Sequence, residues 1–303
     1  MKEDDKYLFT RAEDRISFLY IDKARIEQTE YGVCVLKGKD AIEIPITTIN
    51  CLILGPGVSI THRAVCNIAS AGTSICFMGM DMGVFYTYGE PSTNRSKNLL
   101  KQIRLHENKA LHLNVIHKMY DIRYPSSHLK SKSVEELRGI EGLKMREAYE
   151  AAAKEYDINW NGREYKSGDF DGQSVVNQYL TALNHVLYAV TQAVIVSLGF
   201  SPAIGFIHTG HIQSLVFDIA DLYKERYIIP LAFRLAKDGF YSRNTLMREF
   251  RSLIVDNRLL QDIVKTIISI FDIEEDDVSI EAELMLWGDK NFGIFGKNYA
   301  TEP

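Results

Sequence analysis

The hydrophobic pattern of the 303-residue sequence changes at Gly89-Glu90-Pro91-Ser92-Thr93-Asn94, a stretch rich in turn-forming residues. Before it, short segments rich in β-forming residues alternate with polar turns, for example over residues 31–36 and 73–78. Thr61 is placed to cap the single helix predicted among them. After it, apolar residues recur at helical spacing. The sequence therefore predicts an α+β protein, with a small β-sandwich-like domain over residues 1–90 and an all-helical domain over residues 91–303.

The second domain is expected to contain seven helices. The first is one long segment that carries apolar residues from 99 to 116 and ends at Tyr124-Pro125-Ser126-Ser127. Two more are predicted over residues 134–156 and 173–198, and shorter ones around 213–224, 228–237, 244–253 and 258–271. Residues 172–217 contain no Asp, Glu, Lys or Arg, but polar residues interrupt them. A span needs roughly 20 mainly apolar residues in a row, so we predict a buried core helix and no association with a membrane.

Composition indicates a folded globular protein, with 46% hydrophobic and 25% charged residues. The chain begins with charged residues and has no signal-peptide pattern. Its four cysteines lie in the first quarter of the sequence, and none forms a C-x-x-C pair. This spacing argues against a zinc site and favours buried thiols in a reducing cytoplasm, which is the predicted location.

The charge distribution favours a local nucleic-acid surface. The net charge is −5, yet residues 95–146 hold twelve Lys and Arg against five Asp and Glu, a balance of +7. Residues 272–289 carry eight acids and no base. A basic region of this kind, which includes Arg138 and Arg146, can bind DNA phosphates. The alternative is that these charges simply lie on solvated helix faces.

Three places in the helical part carry candidate catalytic residues. Glu141 lies between Gly139 and Gly142, and glycines inside a helix permit the close approach of a backbone or ligand. The alternative there is a helix kink with a solvated glutamate. His208 lies in an apolar run bracketed by glycines, where a core histidine is the alternative.

The third place is Asp218 and Asp221, which share one face of a largely apolar helix. Two such carboxylates repel each other unless a cation lies between them. The alternative is an exposed acidic edge. Together, Glu141, His208 and Asp221 offer oxygen and nitrogen ligands that suit Mg²⁺ or Mn²⁺. Such an ion polarises a phosphate and activates a hydroxyl group.

Four motifs in this order resemble the Cas1 family of CRISPR-associated integrases, in its type I-E branch. The motifs are Leu137-Arg138-Gly139-Ile140-Glu141-Gly142, Asn159-Trp160-Asn161-Gly162-Arg163, Pro202-Ala203-Ile204-Gly205-Phe206-Ile207-His208-Thr209-Gly210 and Asp218-Ile219-Ala220-Asp221. The resemblance extends from about residue 15 to about residue 258. It implies a DNA endonuclease and integrase of antiviral defence.

The resemblance also implies roles for individual residues. Glu141, His208 and Asp221 would hold the metal, with Asp218 as a nearby auxiliary acid in the catalytic set. Further DNA-contacting residues would be Tyr165, Tyr188, Lys224 and Arg248. The implied partners are double-stranded DNA (the spacer precursor and the CRISPR repeat), a second copy of the chain paired through the β domains, and the small protein Cas2.

Two departures from the family concern partner and DNA contacts. Lys23 stands where some relatives have a tyrosine that splays the duplex ends, and the C-terminal residues 296–303 contain a single proline where some relatives have a proline-rich tail. Two other functions remain open from the residues alone. One is a stand-alone metal-dependent DNA nuclease in repair, and the other is a non-catalytic DNA-binding scaffold.

Overall fold

The computed structural model describes residues 17–29, 32–79, 84–88, 96–125, 129, 131–164 and 169–273. The strands are β1 Ser17–Ile21, β2 Arg25–Gln28, β3 Val33–Lys37, β4 Asp40–Ile44, β5 Ile49–Leu54, β6 Ser59–Ile60, β7 Ser74–Met78 and β8 Val84–Tyr88. The helices are α1 His62–Ser70, α2 Lys97–Glu107, α3 Lys109–Arg123, α4 Val134–Tyr156, α5 Val175–Ser197, α6 Ser214–Tyr223, α7 Ile229–Ala236, α8 Arg243–Asp256 and α9 Leu259–Phe271. The predicted strand-rich first part and helical second part are confirmed. The turn-rich stretch at residues 89–94 lies outside the described residues.

The strands form two four-stranded sheets. The first has the order β1-β5-β7-β8, with β5 parallel to both β1 and β7 and with β8 antiparallel to β7. The second has the order β4-β3-β2-β6, in which β6 runs parallel to β2. Side chains on a strand alternate between faces. Accordingly, Leu52 and Leu54 pack with the second sheet and α1, whereas Cys51 and Ile53 pack into the core of the helices.

Helix α1 begins as its sequence predicts. The Thr61 side chain accepts a hydrogen bond from the Ala64 N–H at 3.3 Å, which satisfies a donor that has no partner within the first turn. Ala64 and Ile68 then face the β core. The predicted capped helix is therefore confirmed.

Helix α5 is the centre of the helical core. It is long and apolar enough to cross a membrane by length and composition alone, with a mean hydropathy of 1.4, but 72% of that apolar window is buried inside the protein. Helices α6, α7 and α9 pack around it. The prediction of a buried core helix for this stretch is therefore confirmed.

The structure corrects the prediction of one long helix in residues 99–116. The helix is interrupted at Asn108. The Asn108 side chain accepts hydrogen bonds from the N–H groups of Ala110 and Leu111 and so caps the start of α3. Asparagine competes for backbone donors in this way, and it is therefore favoured at helix starts and not inside helices. Strands β2 and β6 were also missed, because both are short and lie beside turns.

Candidate active site

The structure brings the four predicted catalytic residues to one small pocket. Glu141 comes from α4, His208 from the loop between α5 and α6, and Asp218 and Asp221 from α6. We call these four residues the acidic pocket. Met119, Tyr120, Arg123, Ile207 and Leu222 complete its lining.

Asp218 holds the loop that carries His208. Its side chain has no exposed surface and accepts hydrogen bonds from the N–H groups of Phe206 (2.6 Å), Ile207 (3.1 Å) and His208 (2.8 Å). The His208 Nδ1 lies 2.8 Å from the Asp218 Oδ1. This hydrogen bond raises the pKa of His208, against burial, which lowers it. When Nδ1–H donates to Asp218, the Nε2 lone pair faces the pocket, where it lies 3.9 Å from the Asp221 Oδ2.

The same loop requires glycine at position 205. A Cβ on Gly205 would lie 2.4 Å from the carbonyl oxygen of His208 and 2.7 Å from the carbonyl carbon of Ser214. No side chain fits between the loop and the start of α6. The glycine predicted to bracket the histidine therefore has a steric role.

Glu141 is held by side chains of α3. The Tyr120 hydroxyl donates to its Oε2 at 2.8 Å, and the Arg123 guanidinium donates to its Oε1 at 2.5 Å. Burial raises the pKa of Tyr120, as does the hydrogen bond to Glu141, so that the phenol keeps its proton and donates. Burial alone would lower the pKa of Arg123, but Glu141 and its other neighbours raise it.

Asp221 is paired with Lys224, one turn further along the chain. The Lys224 ammonium contacts the Asp221 Oδ1 and donates to the Tyr188 hydroxyl at 2.7 Å. Burial lowers the pKa of Lys224, but the Asp221 carboxylate and the Tyr188 hydroxyl together outweigh burial, and the pKa is raised overall. Two residues predicted to contact DNA, Tyr188 and Lys224, therefore bind each other beside the acidic pocket.

The ligand atoms of the pocket are of the types that suit a divalent cation, but the side chains are not arranged around one. Among the residues that the structure describes, no three His, Cys, Asp or Glu side chains are arranged to hold one ion. The Glu141 and Asp221 carboxylates instead bind Arg123 and Lys224. Yet the donors are carboxylate oxygens and an imidazole nitrogen, which suit Mg²⁺ or Mn²⁺. With His208 neutral, the cluster has a charge of −2, from the acids Glu141, Asp218, Asp221 and Glu225 and the bases Arg123 and Lys224.

No described backbone or side chain closely approaches the glycines beside Glu141, where the sequence leaves close approach and a solvated helix kink as alternatives. A Cβ at Gly139 or Gly142 would meet no atom of the described chain within 4 Å. This part of α4 is exposed, and glycine there leaves surface open beside the acidic pocket. Arg138 is also exposed, but it donates to the Ile207 carbonyl oxygen at 2.6 Å and so ties α4 to the His208 loop.

The remaining predicted DNA contacts lie in different places. Arg146 is exposed on α4, and Arg248 is exposed on α8 with its Nε 3.3 Å from the Glu249 Oε1. Tyr165 lies outside the described residues. One base of the predicted basic region, Arg123, does not reach the surface, because it is buried between two glutamates.

Sequence reasoning missed four side chains behind Glu141: Tyr120, Arg123, Tyr124 and Glu225. Tyr120 and Arg123 lie on α3 and Tyr124 follows it directly, so the three have i, i+3 and i+4 spacing, which is a detectable signal. Glu225 lies in a π-helical turn, Lys224–Ile228, and nothing in the local sequence connects it to Glu141.

Comparison with known proteins identifies the family of the chain. Residues 118–245 match the family model described as "CRISPR associated protein Cas1". A CRISPR-associated endonuclease Cas1 of Clostridium sp. (strain SY8519) is 33% identical over 296 residues, which cover 96% of this chain and 98% of the relative. The chain belongs to the Cas1 family of CRISPR-associated endonucleases.

Two further members support the assignment. The CRISPR-associated endonuclease Cas1 2 of Chlorobaculum tepidum is 36% identical over 256 residues, covering 84% of this chain and 86% of the relative. A crystal structure of a TtCas1–DNA complex has a TM-score of 0.78 and 35% identity, covering 84% of this chain and 91% of that one. The chain therefore shares the fold of that structure over most of its length.

Proposed function

We propose that this Cas1 family member is a metal-dependent integrase of CRISPR adaptation. It inserts spacer DNA into the CRISPR repeat by attack of a 3′-hydroxyl group on a phosphodiester. The observation that carries the proposal is the convergence of Glu141, His208 and Asp221, from three separate segments, on one pocket. A neighbouring carboxylate, Asp218, orients the imidazole.

The residues of the acidic pocket have distinct tasks. Glu141, His208 and Asp221 would hold Mg²⁺ or Mn²⁺, which when bound favours the deprotonated hydroxyl and draws negative charge from the phosphate. Asp218 keeps the proton on the His208 Nδ1 and so leaves Nε2 as a ligand. Lys224 places a positive charge against Asp221, at the edge where a phosphate would enter.

The proposal includes the family's partners. The chain binds duplex DNA, pairs with a second copy through its β sheets and works with Cas2 in the cytoplasm, in a type I-E system. A relative at 35% identity has been crystallised with DNA, which supports the DNA partner. Arg138 and Arg146, both exposed on the helix that carries Glu141, fit phosphate binding, which should weaken steeply with salt.

The test is strand joining by the purified chain with Cas2, a short duplex and a repeat-bearing plasmid. We expect Glu141→Ala, His208→Ala and Asp221→Ala each to abolish joining with Mg²⁺ or Mn²⁺ while duplex binding stays largely intact. Asp218→Asn is expected to reduce joining less. Glu150→Ala, an exposed change on the same helix as Glu141, is the matched control.

Each result separates the rival functions. Joining by His208→Ala near the wild-type rate would refute the metal assignment. A wild-type chain that cuts DNA but never joins it, even with Cas2, would replace the integrase with a stand-alone nuclease. Wild-type binding with neither reaction would favour the scaffold.

A further inference from the structure

A buried guanidinium links the acidic pocket to a glutamate outside it. The Arg123 side chain is 5% exposed and bridges Glu141 on one side and Glu225 on the other. Glu225 does not line the pocket. Its connection to the site therefore runs through Arg123.

Glu225 fixes the orientation of Arg123. Its Oε1 accepts from the Arg123 Nε at 3.0 Å and from a terminal guanidinium nitrogen at 2.6 Å, while the Tyr124 hydroxyl donates to the same oxygen at 2.5 Å. The guanidinium is planar, so two bonds to one side set the direction of its remaining donor. That donor is the nitrogen that reaches Glu141.

The backbone around Glu141 does little to hold its carboxylate. Gly139 and Gly142 flank it in α4, and a Cβ at either would meet nothing within 4 Å in the described chain. Glycine lowers the stability of a helix interior. The hydrogen bonds from Tyr120 and Arg123, both on α3, therefore orient the carboxylate.

These hydrogen bonds leave the carboxylate able to bind an ion. Each carboxylate oxygen has two acceptor sites, and each oxygen of Glu141 uses one of them for Tyr120 or Arg123. We propose that Arg123 is a positioning residue: anchored by Glu225, it aims the Glu141 carboxylate at the divalent cation. This inference rests on the proposed metal site and adds to it two residues that do not ligate the ion.

Lysine in place of arginine tests this role. A single ammonium keeps the charge of Arg123 but cannot span two carboxylates with a planar fork. We expect Arg123→Lys to weaken Mn²⁺ binding about ten- to a hundredfold, the usual range for residues that orient metal ligands. Glu225→Gln should weaken it in the same direction. Mn²⁺ titration of the full-length chain by calorimetry, without DNA, measures both.

Three further variants separate positioning from a general loss of structure. Arg234→Lys makes the same exchange in the Arg234–Glu249 ion pair, away from the pocket lining, and should bind Mn²⁺ as the wild type does. Glu141→Gln should abolish tight binding. Adding Arg123→Lys to Glu141→Gln should then cause no further loss, because Arg123 acts through Glu141. Melting temperatures of the metal-free variants report any structural damage separately.

The outcomes distinguish this inference from the proposed function. Equal Mn²⁺ affinity in the wild type and Glu141→Gln would overturn the metal assignment, and the role of Arg123 with it. Affinity that depends on Glu141 but is unchanged in Arg123→Lys would overturn the role of Arg123 alone. If Arg123→Lys does not fold, Glu225→Gln decides, and unchanged affinity there refutes the positioning role.

Discussion

The two sides of the acidic pocket hold their acids by different means. On the α6 side, backbone N–H groups of residues 206–208 bind Asp218, and everything needed lies within about a dozen residues of sequence. On the α4 side, side chains of α3 bind Glu141, and their anchor Glu225 is 102 residues beyond Arg123.

This difference determines how each side of the pocket appears in the sequence. A carboxylate held by a neighbouring loop leaves a compact motif, here Phe206-Ile207-His208 followed by Asp218. A carboxylate held by another helix leaves single residues scattered over the chain. The α6 side should therefore be rigid as a unit, whereas the α4 side depends on packing among α3, α4 and the π-helical turn.

The largest expected effect comes from removing the backbone-held acid. Asp218→Ala leaves three N–H donors without their acceptor, two of them buried and one partly buried, at about 1–3 kcal/mol for each unsatisfied group. We expect a loss of roughly 3–5 kcal/mol in the free energy of unfolding, measured by urea denaturation of the metal-free chain. Asp256→Ala, an exposed acid at the end of α8, is the control. Equal stability of the two variants would show that the loop does not depend on Asp218.

A smaller loss is expected from Gly205→Ala, on the same side of the pocket. The new methyl group would lie 2.4 Å from the carbonyl oxygen of His208, so the loop must shift. Overpacking of this kind costs roughly 1–3 kcal/mol. Thermal unfolding followed by circular dichroism measures it, and a melting temperature at or above that of the wild type would contradict the close approach.

The opposite sign is expected on the α4 side. Gly139→Ala adds a methyl group that meets no described atom within 4 Å, inside a helix. Alanine should stabilise α4 by roughly 0.5–1 kcal/mol, because glycine is the more flexible residue when unfolded. The same unfolding measurement applies, and a clear loss of stability would reveal a neighbour at this position.

The smallest effect is expected at the surface ion pair Arg234–Glu249, which has the same residue types as the buried pair Arg123–Glu141. A hydrogen bond from Arg234 lowers the pKa of Glu249, against burial, which raises it. A lowered pKa contributes stability above the unfolded value, about 4.3, and that contribution is lost as the pH falls through the folded value. Glu249→Gln should therefore cost at most about 0.5–1 kcal/mol near pH 7 and nothing at strongly acidic pH. Unfolding curves across that pH range test the difference.

The sequence predicted the layout of the fold and the four residues of the acidic pocket, but not how they are held. Periodicity located α5, because this helix is long and its apolar positions are regular. It merged α2 with α3, because the break depends on one side-chain cap at Asn108. The sequence assigns Arg123 to a basic surface, because no local pattern shows that Glu141 and Glu225 enclose it.

Asp218 determines when the His208 ring loses its conformational freedom. The same carboxylate closes the loop and accepts from the imidazole, so closing the loop also favours one orientation of the His208 ring. The conformational entropy of orienting this ring is thus lost once, during folding, and not again when a ligand binds. A newly folded chain should therefore already hold the His208 ring against Asp218, with Nε2 facing the acidic pocket.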